Sequence, residues 1–201
     1  HVLPALGNGS TVKFAYQSKH AIADGTKAAF TADADTFDLD PRLLSGIRDL
    51  GWRDTRSVQS GVIPFALEGL DVIACAQTGT GKTAAFLLAA FNHLLTHPAE
   101  GRLPTQPRAI MLAPTRELAV QIHRDAEVLG KHTGFRLGLV FGGTGYDSQR
   151  KMLEEGVDVL IGTPGRLIDY FKQHVFDLNA VQVMVLDEAD RMFDLGFIKD
   201  I

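Results

Sequence analysis

A single cysteine, Cys75, rules out an internal disulfide in this chain and points to a reducing, cytoplasmic setting. It lies in an apolar run and is expected to be a small buried side chain, not a nucleophile. No apolar run reaches membrane-spanning length, so no transmembrane segment is predicted. The chain opens HVLPALGNGS, with neither an initiator Met nor a charged and apolar secretory signal, and a fragment is the expectation. Basic residues do not predominate. The 20 Lys and Arg face 24 Asp and Glu, a formal charge of −4, which excludes an all-over basic surface but leaves room for a local phosphate-contacting face. There is no H-E-x-x-H pattern and no cysteine cluster. His93 and His97, one helical turn apart, are therefore expected to be solvated helix residues and not a metal pair. Internal repeats are missing as well.

What is present suffices for one well-cored domain: 201 residues, 45% of them hydrophobic. Residues 1–36 are rich in Ala, Gly, Ser, Thr and Lys and hold no lasting periodicity, as expected of a mobile extension or a tag-derived leader. From Phe37 the pattern changes. DPRLLSGIRDLG predicts a short amphipathic helix with Pro41 early and Gly51 at its end, and SGVIPFALEG a second helix. Short apolar runs then alternate with helical segments. The runs are DVIACA, AIMLAP, RLGLVFGG, VDVLIGTP and VQVMVLDEAD; the helical segments begin at Lys82, Thr115, Tyr146, Gly165 and Ala189. Phe86 and Phe91 read as core. Val-, Ile- and Leu-rich runs without strict alternation fit strands covered on both faces, and strand–helix alternation implies a mainly parallel sheet flanked by helices. Ligands in such folds sit outside the carboxyl ends of the strands.

Two stretches at such ends carry chemistry. AQTGTGKT, Ala76 to Thr83, follows an apolar run and opens a helix. Gly79 and Gly81, with Thr78 and Thr80 between and beside them, let the backbone amides turn toward phosphate oxygens. Lys82 is placed for the β- and γ-phosphates and the Thr83 hydroxyl for Mg²⁺. Ala76 stands where the general phosphate-loop pattern has its first Gly. The second stretch is VMVLDEAD, in which an apolar strand ends in Asp187 and Glu188. Asp187 suits a metal held through water, and Glu188 can orient or deprotonate the attacking water.

AQTGTGKT, PTRELA (Pro114–Ala119), Gly142–Gly143, TPGR (Thr163–Arg166) and DEAD (Asp187–Asp190) occur in this order. From Phe37 to its end the chain resembles the first RecA-like domain of the DEAD-box RNA helicases, in which Ala at position 76 is normal. FGGTGYDSQ, GRLIDY and DEADRMFDLGFIKDI are similar to the bacterial RhlB subgroup. The resemblance implies an α/β, RecA-like phosphate-loop NTPase domain, incomplete after the DEAD motif, that uses ATP and Mg²⁺ to remodel RNA. It implies a catalytic set of Lys82, Asp187 and Glu188. It also implies a single RNA strand, or a locally unwound one, gripped by its backbone at Pro114, Thr115, Arg116, Gly143, Thr163, Pro164, Gly165 and Arg166. Arg116 and Arg166 either supply charge to that strand or buttress their own loops, and Thr115 also reads as a helix cap. Asp190 would couple nucleotide to RNA. The implied partners are a second RecA-like domain, which would bring an arginine finger and half the RNA cleft, and the RNA-decay machinery by analogy with the subgroup; no membrane is implied.

The match departs from its pattern in GWRDTRSVQ, Gly51 to Gln59, the stretch that reads adenine in the family. Gln59 stands in place, and Trp52 replaces a Phe. Thr55 replaces a Pro and Arg56 a Thr, and Ala34 stands where the family stacks an aromatic on the base, with Phe30 and Phe37 nearest. Arg56 either points to solvent or reaches the phosphate loop. Two rival functions are a module that binds RNA or a partner protein without turnover and a small nucleotide kinase; TPGR and PTREL count against the latter.

Overall fold

The computed structural model describes residues 11–12, 37–77, 79–143 and 145–201. Thr78, Thr144, Phe30, Ala34 and all of residues 1–36 except Thr11 and Val12 lie outside the described residues. Five parallel strands form one sheet in the order β1–β5–β2–β4–β3. They are β1 (Thr11–Val12), β2 (Ala109–Leu112), β3 (Leu137–Val140), β4 (Val159–Gly162) and β5 (Val183–Leu186). The helices are α1 (Pro41–Asp49), α2 (Ser57–Leu67), α3 (Lys82–Thr96), α4 (Arg116–Leu129), α5 (Tyr146–Glu155), α6 (Pro164–Lys172) and α7 (Ala189–Asp194). The expected α/β class with a parallel sheet is found.

The runs that did not alternate in the sequence do alternate between two cores. Along β2 and just beyond it, Ala109, Met111 and Ala113 pack into one cluster with α1 to α4, while Ile110 and Leu112 face the other. Along β4, Val159 and Ile161 join the first cluster and Leu160 the second; along β5, Val183 and Val185 divide from Leu186 in the same way. β2, β4 and β5 are covered on both faces, so the pleat leaves no polar side to mark its period. Phe91 is fully buried and Phe86 packs partly buried against the first core, as expected.

One expected strand is not there. Asp71–Gln77 forms no strand, although Val72, Ala74 and Ala76 are half-buried and Ile73 and Cys75 are exposed. A strand has two edges, and those of β5 are taken by β2 on one side and, at Val183 and Met184, by Thr11 and Val12 on the other. Asp71–Gln77 instead runs beside β5, with Val72, Ala74, Val183 and Val185 lining an apolar cavity of about 50 Å³. The same arrangement corrects the reading of Cys75: the alternation that turns Val72 and Ala74 inward turns Cys75 out. The helix expected after DEAD also breaks, at Gly196 with φ 82°, and resumes as a single 3-10 turn over Phe197–Lys199.

Three polar or small residues inside the fold set where the phosphate-loop helix sits. Arg108, at the start of β2, is buried and donates through Nη2 to the carbonyls of Leu94 and His97 at 2.6 Å each, at the end of α3. Its Nε donates to Gln182 Oε1 at 3.0 Å. Asn92, also buried, accepts the Asp40 N–H at 2.8 Å and so ties α1 to α3. Gly46 brings α1 against α4, since a Cβ there would lie 2.3 Å from the Leu129 carbonyl oxygen. His93 and His97 stack with ring centroids 4.2 Å apart, and no metal-binding group of three or more side chains occurs among the described residues. Among those residues no helix is long and apolar enough to cross a membrane.

Candidate functional site

The phosphate loop is held almost wholly through its carbonyls. Lys82 Nζ donates to the Ala76 carbonyl at 2.6 Å and Thr80 Oγ1 to the Gln77 carbonyl at 2.7 Å. Gln59 Nε2 donates to the Gly81 carbonyl at 3.2 Å, while its Oε1 accepts the Arg56 N–H at 2.8 Å. Arg56 reaches the phosphate loop while remaining exposed: its Nη1 donates to the Gly79 carbonyl at 2.5 Å. Gly81 has φ 96° and is the residue preceding α3, where no side chain caps the helix. A Cβ on it would meet Gln59 Nε2 at 2.7 Å, so the position needs glycine both for its backbone angle and for space. The first amides of α3 are thus left for an anion.

Opposite the loop, β5 ends in the two acids. Asp187 is buried, its N–H donating to the Leu112 carbonyl at 3.0 Å and its Oδ1 accepting the Glu188 N–H at 3.1 Å. Burial pushes its carboxyl above the ordinary carboxylate range; the Lys82 charge and the Glu188 N–H oppose that rise and the Glu188 charge adds to it. Glu188 adopts φ 50°, one of only two positive values among the described non-glycine residues. Such a conformation costs about 1–3 kcal/mol and is kept where surrounding structure demands it. Here it turns the chain out of β5 into α7, with Arg191 Nη1 3.3 Å from Glu188 Oε2. A cleft of about 490 Å³ brings the expected residues together: Trp52, Gln59, Gly79, Gly81, Lys82, Thr83, Asp187 and Glu188 all line it. Asp190 is exposed beyond Glu188 and lines an adjoining cavity with Lys82. The Thr83 hydroxyl and the buried Asp187 carboxylate are oxygen donors of the kind a hard divalent cation takes, and a cation would offset the burial of Asp187.

The remaining expected residues lie beyond the carboxyl ends of β2, β3 and β4, on the connecting loops and, for Arg116 and Pro164–Arg166, in the first turns of α4 and α6. Thr115 caps α4, its Oγ1 accepting the Leu118 N–H at 3.3 Å. Pro114 and Pro164 are buried, Thr163 is half-buried, and Gly143 and Gly165 are exposed. Neither arginine buttresses merely its own loop. The Arg116 guanidinium sits 4.5 Å from the ring centroid of Phe141, just before Gly142, and Arg166 sits 4.9 Å from Tyr146 and 5.6 Å from Tyr170. Gln149 bonds Phe141 twice, accepting its N–H at 3.1 Å and donating to its carbonyl at 3.2 Å. Tyr170 donates to the Tyr146 carbonyl at 2.6 Å, and Arg166 Nη1 reaches Gln149 Oε1 at 3.3 Å. Phe141, Tyr146, Gln149 and Tyr170 had no role assigned from sequence. The stretches FGGTGYDSQ and GRLIDY contain all four, and only their three-dimensional meeting shows that they lock the Gly142–Gly143 loop to the TPGR loop.

The DEAD/DEAH box helicase family model matches residues 56–201, the part of the chain that carries both acids and every loop just described. The chain belongs to the DEAD/DEAH box helicase family. It is 62% identical over 166 residues to the ATP-dependent RNA helicase RhlB of Erwinia tasmaniensis, an alignment covering 82% of this chain and 39% of that protein. It is 60% identical to the proteins of the same name from Photorhabdus laumondii and Sodalis glossinidius, again over 82% of the chain and covering 39% and 40% of them. The likeness to the bacterial RhlB group read from the short motifs therefore holds, and the chain spans about two-fifths of the length of the relatives it matches.

Proposed function

We propose that this chain is the nucleotide- and RNA-binding unit of an ATP-dependent RNA helicase, coupling ATP binding and hydrolysis to local remodelling of RNA when joined to a second RecA-like domain. The observation that carries the reading is the convergence, in one cleft, of a glycine-turned loop at a helix start with a buried carboxylate and a second acid at the end of β5. The loop amides and Lys82 take the β- and γ-phosphates. Glu188 orients the attacking water and accepts its proton. Thr83 and Asp187 hold Mg²⁺, which when bound neutralises charge on the phosphate oxygens. Gln59 uses one valence of each amide end internally, so one lone pair and one hydrogen remain to read the adenine edge, with Trp52 beside them.

The strand of RNA lies across the loops at the ends of β2, β3 and β4. There Gly143 and Gly165 admit a close backbone, and Thr115 and Thr163 offer hydroxyls. Asp190 relays the state of the nucleotide to that surface. The relatives named as ATP-dependent RNA helicases support the same reading; a cytoplasmic setting and RNA-decay partners belong to the proposal by analogy alone. The test is binding of fluorescent ADP with Mg²⁺, competed by ATP and by GTP. Competition by ATP alone is expected; equal competition would remove base reading from Gln59, and no binding would overturn the nucleotide assignment.

A further inference from the structure

We infer that Arg56 is a positioning residue for the phosphate loop, its guanidinium holding the Gly79 carbonyl so that the next amide is aimed at a polyphosphate. The inference rests on the reading of this cleft as a nucleotide site. Arg56 occupies the N-cap position of α2, where a hydroxyl or carboxylate normally accepts an amide, and a guanidinium can accept nothing. The side chain does something else. It crosses to a residue 23 positions along the chain and donates to the Gly79 carbonyl at 2.5 Å.

Gly79 and Gly81 both have positive φ, 80° and 96°, and are the two positions of the loop with the least backbone restraint. Each has its carbonyl taken by a side chain from the start of α2: Gly79 by Arg56 and Gly81 by Gln59. No cis peptide is present among the described residues, and in a trans peptide the carbonyl and the following N–H point in opposite directions. Fixing the Gly79 carbonyl on Arg56 therefore turns the Thr80 N–H away from Arg56. Fixing the Gly81 carbonyl on Gln59 does the same for the Lys82 N–H. The two side chains also form one wall: a Cβ on Gly81 would meet Gln59 Nε2 at 2.7 Å and Arg56 Cδ at 3.1 Å. Arg56 itself lines the cleft with Lys82 and Thr83.

The 201-residue chain is tested as Arg56→Ala, Arg56→Lys and Arg56→Thr, with Mg²⁺, by titration of fluorescent ADP and competition by inorganic tripolyphosphate. Arg56→Ala and Arg56→Thr should weaken both ligands by about tenfold, the effect of losing one charge-assisted bond. The midpoint of thermal unfolding without ligand should stay within about 2 °C. Arg56→Lys, whose ammonium can still donate to the carbonyl, should restore affinity to within about threefold. The preference for ATP over GTP should persist in all three. Backbone relaxation of the Thr80 and Lys82 amides in the ligand-free chain supplies a readout independent of binding, and Thr80 alone should loosen in Arg56→Ala.

Wild-type affinity in Arg56→Ala overturns the inference and leaves the nucleotide site standing. So does a loss that vanishes at about 0.5 M salt, where screening removes a pure charge effect. Failure of the wild-type chain to bind either ligand overturns the nucleotide reading; unchanged relaxation at Thr80 overturns the positioning role whether or not nucleotide binds.

Discussion

The two ends of the ligand-facing surface are built in opposite ways. At the phosphate loop, backbone groups are presented, glycines make the turns, and side chains at the start of α2 hold the carbonyls. At the loops after β3 and β4, side chains are stacked on side chains: Arg116 on Phe141, Arg166 on Tyr146 and Tyr170, and Gln149 across Phe141. A phosphate is small and highly charged, and converging amides suit it. A sugar–phosphate strand is extended, and it needs several loops kept in fixed relation over a distance. On the proposed reading, a short motif suffices where the ligand is gripped by one turn of chain, whereas a long surface is held in shape by residues outside its motifs.

The largest expected effect comes from breaking the anchor that keeps the phosphate-loop helix on the sheet. Arg108→Met leaves the Leu94 carbonyl without its buried donor and the His97 carbonyl with Gln182 alone, and should cost about 2–4 kcal/mol of stability by urea denaturation. A loss under about 0.5 kcal/mol would mean that α3 is held by its apolar face alone.

Lys82→Ala tests whether the two ends bind independently. It should weaken fluorescent ADP by about 100-fold through loss of a charged phosphate contact, while a single-stranded RNA is retained within about twofold in a filter or anisotropy assay. Equal losses would make the ends one site.

Tyr170→Phe probes the stacked end. The buried ring stays, but the bond to the Tyr146 carbonyl goes, at about 1 kcal/mol in a denaturation experiment. ADP affinity should not change, because the ring lies behind the loops after β3 and β4 and does not line the nucleotide cleft.

The smallest effect sharpens the electrostatics of the nucleotide end. Burial raises the Asp187 carboxyl, so its favourable contribution is complete below the unfolded value near 4 and is lost as pH rises through the higher folded value. Wild type and Asp187→Asn should therefore melt together near pH 4. At pH 7 without divalent cation the Asn variant should melt about 2–4 °C higher. A variant that melts lower at pH 7 would show that the carboxylate is stabilised by its neighbours after all.

The parallel α/β order was legible because β2, β3, β4 and β5 are Val-, Ile- and Leu-rich and helices follow each of them at short distance. The same rule failed at Asp71–Gln77. Its residues look like a strand, but pairing depends on a free edge, and β5 has none at Val183 and Met184 once Thr11 and Val12 are there. Cys75 was misread for the same reason, since burial follows which way a segment turns and not how apolar its neighbours are.

The sequence by itself determined the family and brought the proposed phosphate-binding residues into view, because glycine, lysine, threonine and two acids at fixed spacing stand out once strand and helix are set around them. Only the tertiary structure decided that Arg56 grips Gly79, that Arg108 anchors α3, and that the motif arginines lie on aromatic rings from a neighbouring loop. A guanidinium reaches far and donates in several directions, so its partner is chosen by what the fold brings within range.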